Sequence, residues 1–308
     1  MISRRNIRVK VMQTLYAVET TTPEINVQQA LSILDKHLEQ SRQIFTYLVY
    51  FLSEVARYAE TDSRLRASKH LPSSEDLNVN TKIAGNDLLW RIVEDPGFKE
   101  TVNEFHLNSL MDKDLVRKVY LRLVDSPEYA KYIALQSREK KDEKQILEFI
   151  FTDLMLPNED VTSHFEELFI HWDDDGEMMN LMMLNFLQKP ASYNFLQLIS
   201  REKMDFAKGL VRTAMEKKEY TLELIKPKLK NWDADRIALL DMILMRMGTC
   251  EFLYFETIPA KVTLNEYIDL AKDYSTQQSG HFVNGILDNI HKELSQENKL
   301  RKVDYKKQ

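Results

Sequence analysis

The run from Ile258 to Leu294, IPAKVTLNEYIDLAKDYSTQQSGHFVNGILDNIHKEL, constrains the fold more than any other part of the chain. Pro259 blocks continuation of a preceding helix, and Thr263 with Glu266 three residues on has the pattern of a capping box. The apolar set Leu264, Tyr267, Ile268, Ala271 and Tyr274 follows at helical spacing, which predicts a helix from about residue 264. Ser275 with Gln278 offers a second box, and Phe282, Val283, Ile286, Leu287, Ile290 and Leu294 then mark one face of a second helix. Gly285 lies inside that helix, where glycine costs about 0.5–1 kcal/mol relative to alanine; close approach of another backbone would explain it. Two helices joined by a tight hinge need further helices to cover their apolar faces.

The rest of the chain supplies them. Ile7, Val11, Leu15 and Val18 give a core stripe to a helix over 3–20. Leu31, Leu34, Leu38, Ser41, Phe45, Leu48, Leu52, Val55 and Ala59 recur at 3–4 spacing, a coiled-coil-like seam within 26–68. Because Ser41 interrupts it with a polar group, the seam is expected to pack inside the chain and not between two copies. Residues 69–80 read as a polar loop, and shorter helical patterns then run to 188, divided by Pro96-Gly97, Ser126-Pro127, Pro157-Asn158, 173–176 and Pro190. Further helices are expected over 195–217, 220–229 and, capped by Asp233, 234–256. The last of these is apolar on most sides and belongs at the centre of its bundle, so Asp241, Arg246 and Glu251 within it need partners. With no convincing strand pattern, the class is all-α.

Charge is unevenly placed. The chain carries −6 overall, yet residues 1–22 and 195–308 together carry +5 and the middle −11. A polyanion-binding surface therefore belongs to the two ends. On the first helix Arg5, Arg8, Met12 and Tyr16 fall along one line at steps of 3, 4 and 4 residues, with Arg4 and Lys10 nearby and no acid among them. Cations beside an aromatic ring suit phosphate contact plus stacking on an unpaired base, and the helix macrodipole adds to the field. A solvated amphipathic helix has the same pattern.

The Ile258–Leu294 run also resembles the C-terminal signature of the NusB family of bacterial transcription antitermination factors. Ile258, Pro259, Lys261, Asn265, Glu266, Ile268, Leu270, Ala271 and Lys272 match its first segment, and Phe282, Val283, Asn284, Gly285, Leu287 and Asp288 its second. Residues 224–232, 241–254 and the opening 4–16 are similar to the family's other helices. The resemblance implies a NusB-like helical bundle from 1–22 and 191–294, an additional inserted acidic helical domain over 24–190, and a polar Lys-rich tail over 295–308. It also implies a cytoplasmic transcription factor that binds a boxA-like single-stranded element of nascent ribosomal RNA. The partners it implies are a ribosomal protein of the NusE type and RNA polymerase with other Nus factors. On this reading the RNA contacts are Arg4, Arg5, Arg8, Tyr16, His281 and Phe282. Many relatives have Ser-His-Lys before Phe-Val-Asn-Gly, where this chain has Ser279, Gly280 and His281. Histidine in place of lysine there gives up a permanent charge. The competing expectation is a helical protein-interaction scaffold that keeps the fold with weak or no RNA binding.

Signs of chemistry are few. His164 and His171 with Asp173, Asp174 and Asp175 lack the spacing of a metal site, and no phosphate-binding glycine loop, paired-cysteine motif or nucleophile elbow occurs. Cys250 is the lone cysteine, set in an apolar helix without an evident histidine partner. No run is long and apolar enough to span a membrane. The expectation is a protein without catalytic residues, metal or cofactor.

Overall fold

A computed structural model describes residues 2–21, 25–229 and 237–303. Its secondary structure among these residues is helical, with no strand. The chain divides into two compact units, one built from residues 2–38 and 199–308 and the other from 39–198. These boundaries differ from those drawn on the sequence at 22/24 and 190/191. The first falls inside one long helix, whose buried seam runs on through Leu38, Ser41 and Phe45.

In the unit formed by the chain ends, α1 (Arg4–Thr21) is started by Ser3, whose hydroxyl and carbonyl accept the amides of Asn6 and Ile7. Helix α2 (Val27–Ala67) gives this unit its first turns, where Ala30, Leu31, Leu34 and Leu38 are buried. The chain returns to the same unit with the helices of residues 201–216, 218–225, 239–254, 260–274 and 277–296. The helix over 239–254 is central as expected: every residue from Ile243 to Phe252 is buried, and it packs against the other four and α1. The Asp233 cap proposed for it lies outside the described residues.

Two expected starts move. The helix over 260–274 begins one turn before Thr263, just after Pro259, and Thr263 is buried with its hydroxyl donated to Glu251 at 2.8 Å. A buried acceptor on another helix outcompetes the local cap. The next helix is capped by Thr276 and Ser279, one residue beyond the Ser275–Gln278 pair, in a reciprocal capping box. Gly285 is not a point of close approach, since a Cβ there would meet nothing within 4 Å. That role falls to Gly248, whose added Cβ would lie 2.9 Å from a Leu287 methyl and 3.3 Å from the Tyr267 ring. The expected loose tail is also anchored as far as it is described. Lys302 donates to the carbonyls of Glu251 and Phe255 at 2.8 and 2.9 Å, satisfying the end of helix 239–254, and the Val303 amide donates to Glu256. Burial pushes the Lys302 ammonium down to about 8.

The middle unit takes the remainder of α2 as its axis. The helices are α3 (Ser74–Leu77), α4 (Asp87–Glu94), α5 (Pro96–Glu104), α6 (Leu107–Leu110), α7 (Lys113–Val124) and α8 (Pro127–Ala134), then α9 (Lys140–Phe149), α10 (Glu159–Leu168) and α11 (Trp172–Gln188). Their shortness follows from dense punctuation: Asn86, Asp95, Asp112, Ser126 and Asn158 each accept a backbone amide at a helix start, with Pro96 and Pro127 just inside. Phe45 of α2 packs against Phe186, Tyr193 and Phe195, and Tyr47 and Phe51 against Phe165. Ser41, the polar break in the seam, is buried and donates to Asp175 at 3.3 Å. The remaining helices of the unit formed by the ends become α12 (Arg201–Glu216), α13 (Lys218–Ile225), α14 (Leu239–Tyr254), α15 (Ala260–Tyr274) and α16 (Gln277–Gln296).

Candidate nucleic-acid interface

Burial splits the basic line of α1. From Ile7 to Met12 every side chain is buried, Arg8 and Lys10 included, because α1 meets both α12 and α14. Arg8 is 2% exposed and is withdrawn from the RNA face: a guanidinium so enclosed cannot reach a phosphate without opening the bundle. The Arg8 Nε and Nη2 donate to the two carboxylate oxygens of Glu251 at 2.9 and 2.8 Å, and Nη1 donates to Glu266 at 3.3 Å. Glu251, fully buried, also accepts from Thr263 and from the Tyr267 hydroxyl at 3.1 Å. Its carboxylate thus has four donors, and the Arg8 guanidinium lies over the Phe206 ring, 5.4 Å from its centroid. Burial works against the charge on Arg8, and the Glu251 contact outweighs it and holds Arg8 above its ordinary range. Burial, with Glu251 beside it, pushes the Tyr267 hydroxyl well up, so it remains a donor.

The other polar groups of α14 are also held in structural contacts. Arg246 donates to Glu19 at 2.7 Å and to the Ala214 carbonyl. Glu19 also takes Lys218; burial opposes its charge, and the bonds from Lys218 and Arg246 prevail and hold its carboxyl below the usual range. Asp241 accepts from the Ser279 hydroxyl at 2.9 Å, tying the first turn of α16 to α14.

What remains open on α1 is Arg4, Arg5 and Tyr16. Arg4 and Arg5 keep 38% and 37% of their side chains exposed, and Tyr16 is 45% exposed. Tyr16 lies three turns beyond Arg5, about 16 Å along the axis by helical rise. On α16, His281 is exposed and Phe282 half-buried. The structure brings Arg5 and the start of α16 to the same stretch of α15, since Arg5 reaches Asp273 and Asp269 while Gly280 lies against Lys272 and Ile268. A Cβ on Gly280 would come within 2.6 Å of the Lys272 side chain and 3.5 Å of the Ile268 carbonyl. The Ser279-Gly280-His281 departure therefore has a packing reason: glycine closes the α15–α16 hairpin immediately before His281 and Phe282.

Sequence reasoning missed the acids that meet the two open arginines. Arg5 donates to Asp273 at 2.6 Å, with Glu266 and Asp269 each at 4.0 Å, and Arg4 pairs with Glu202. A partial signal existed in Glu266, Asp269 and Asp273, which fall on one face of α15 at steps of 3 and 4 residues.

Among the described residues no group of three His, Cys, Asp or Glu side chains is placed to hold a metal ion, and His164 bonds to the Tyr47 hydroxyl at 2.6 Å. Burial pushes the Cys250 thiol up to about 12, which removes its nucleophilic form at neutral pH. Among the described residues no helix is long and apolar enough to cross a membrane.

These features define a class: an all-α bundle around a buried central helix, with the half-exposed Arg5 and the start of α16 meeting the same stretch of α15. The family model described as the NusB family matches residues 180–292. Proteins named transcription antitermination protein NusB are similar to the chain. That of Salinibacter ruber is 44% identical over 99 residues, 32% of this chain and 62% of the relative. That of Finegoldia magna is 38% identical over 94 residues, 30% of this chain and 69% of the relative. That of Methylacidiphilum infernorum is 37% identical over 123 residues, 40% of this chain and 81% of the relative. The chain belongs to the NusB family, a family of non-enzymatic proteins. The match spans less than two thirds of the Salinibacter relative. No solved structure matches the chain.

Proposed function

We propose that this chain is an RNA-binding transcription antitermination factor acting in the cytoplasm on a boxA-like single-stranded element of nascent ribosomal RNA. On this reading Arg4 and Arg5 contact phosphate, His281 donates to the strand, and Tyr16 and Phe282 stack on unpaired bases. A ribosomal protein of the NusE type is the partner on RNA, and the assembly joins RNA polymerase with other Nus factors. The observation that carries the proposal is the convergence of Arg5 and the Gly280-His281-Phe282 turn on one stretch of α15, in a chain of NusB ancestry. The middle of the chain, with its −11 charge, repels a polyanion and is assigned to protein contacts.

A helical protein-interaction scaffold with weak or no RNA binding is the second reading, favoured by the ion pairs that Arg4 and Arg5 already make. Titration of a boxA-like single-stranded RNA and a scrambled control, at several salt concentrations, separates the two. The expected result is preference for the boxA-like strand, with affinity falling as salt rises. Phe282→Ala is expected to weaken binding about tenfold with a nearly unchanged Tm, since stacking on a base is worth roughly 1–3 kcal/mol. Absence of RNA binding by the wild-type chain would remove the RNA-binding reading and leave the scaffold. A large fall in Tm for Phe282→Ala with RNA affinity intact would assign the ring to the core.

A further inference from the structure

The cations that the proposed RNA face requires are already engaged. Arg5 meets three carboxylates: one guanidinium nitrogen donates to Asp273 at 2.6 Å while another lies 4.0 Å from both Glu266 and Asp269. Glu266 is shared with the buried Arg8, at 3.3 Å, so it is held in place from the interior side. Asp269 also pairs with Lys272 on its own helix at 3.5 Å. On the other side Arg4 is met by Glu202 at the start of α12. The acids come from two helices that pack on or beside α1, and their carboxylates are exposed enough to move: Asp273 at 54%, Asp269 at 51% and Glu202 at 76%.

We propose that Asp273, backed by Asp269 and Glu266, and Glu202 on the opposite side form an acidic clasp that competes with RNA phosphate for Arg5 and Arg4 and sets an upper limit on RNA affinity. This inference rests on the RNA-binding reading and adds its regulation. The physical reason is an exchange of partners. A phosphate oxygen and a carboxylate oxygen want the same guanidinium edge, so RNA must displace Asp273 from Arg5, and any acid left nearby repels the incoming strand. Because both partners are solvent-exposed, the clasp is weak enough to open, and salt screens it. Such a face binds RNA tightly only where further contacts, stacking or a bound partner, add to the two arginines.

The test uses the full-length chain and a boxA-like single-stranded RNA. Asp273→Asn keeps the shape of the side chain and removes its charge, and is expected to raise affinity up to about fivefold, the equivalent of one exposed ion pair. The double variant Asp273→Asn/Glu202→Gln is expected to gain more. The gain should shrink as salt rises, and it should largely disappear in an Arg5→Gln background, because no cation is then released. Glu216→Gln, at the opposite end of α12 from Glu202, controls for the change in net charge and should leave affinity close to wild type. Equal or weaker binding by Asp273→Asn, an equal gain from Glu216→Gln, or an undiminished gain in the Arg5→Gln background would overturn the clasp while leaving RNA binding intact. If neither wild type nor any variant binds RNA, the RNA-binding reading fails and the clasp with it.

Discussion

Replacing Arg8 by Met tests whether this residue belongs to the core or to an RNA surface. In the structure Met would keep most of the apolar stem but withdraw both guanidinium bonds to Glu251, leaving a fully buried carboxylate that still accepts from Thr263 and Tyr267 but has lost the Arg8 cation. Breaking a buried pair from one side typically costs about 3–5 kcal/mol, because the remaining charge is uncompensated. For a unit of this size each kcal/mol moves Tm by roughly 2–4 °C, so a fall of about 6–20 °C is expected. Thermal unfolding followed by circular dichroism gives the number directly. Glu251→Gln alone should be destabilising for the complementary reason, since Arg8 then loses the anion that takes two of its bonds and keeps Glu266 at the longer distance of 3.3 Å. The double variant Arg8→Met/Glu251→Gln should lose clearly less stability than the two single losses added together, because the second change removes a charge that the first had orphaned. A Tm within about 2 °C of wild type for Arg8→Met, with RNA affinity reduced, would refute this reasoning and return Arg8 to the RNA face.

Two further outcomes follow from packing and from linkage. Gly285→Ala should stabilise the chain by about 0.5–1 kcal/mol, as alanine is the better helix former and nothing lies within reach of its methyl, whereas Gly248→Ala should destabilise it by about 1–3 kcal/mol through collision with Leu287 and Tyr267. Denaturant melts of the pair decide it, and similar effects of both changes would contradict the close approach at Gly248. Lys302 has its ammonium pushed down to about 8 against an ordinary value of 10.5, so between those values the unfolded chain holds more protons than the folded one and folding gains as pH rises. The stability of wild type relative to Lys302→Met should therefore increase from pH 8 to about 10.5; a flat difference across that window would show that Lys302 is not desolvated.

What the sequence determined by itself is whatever depends on neighbours along the chain. Helical period placed α15 and α16, the core stripe of α1 and the central position of α14, and the proline and cap residues of the middle explain why its helices are short. Cys250 in an apolar helix already read as a packed thiol. Periodicity assigns a face to each residue but does not say what meets that face, and here the reading of Arg8 failed. Arg8 is one turn from Arg5 and on the same line of α1, yet its partner Glu251 lies 243 positions away. The contrast between two arginines of one stripe, one enclosed and one half-exposed, arises because Arg8 meets the buried Glu251 of α14 and the Phe206 ring of α12, whereas Arg5 meets the exposed carboxylates of α15. The same cause explains Thr263, whose cap-like spacing was overridden by a buried carboxylate, and Gly285, whose supposed close contact occurs instead at Gly248. It explains the unit boundary inside α2 as well: Leu31, Leu34, Leu38 and Phe45 continue one helical stripe, and only the packing partners change along it. Long-range pairing of charges and the partner of each apolar face are properties of the folded chain, because they are fixed by helices that meet only after the backbone has turned back on itself.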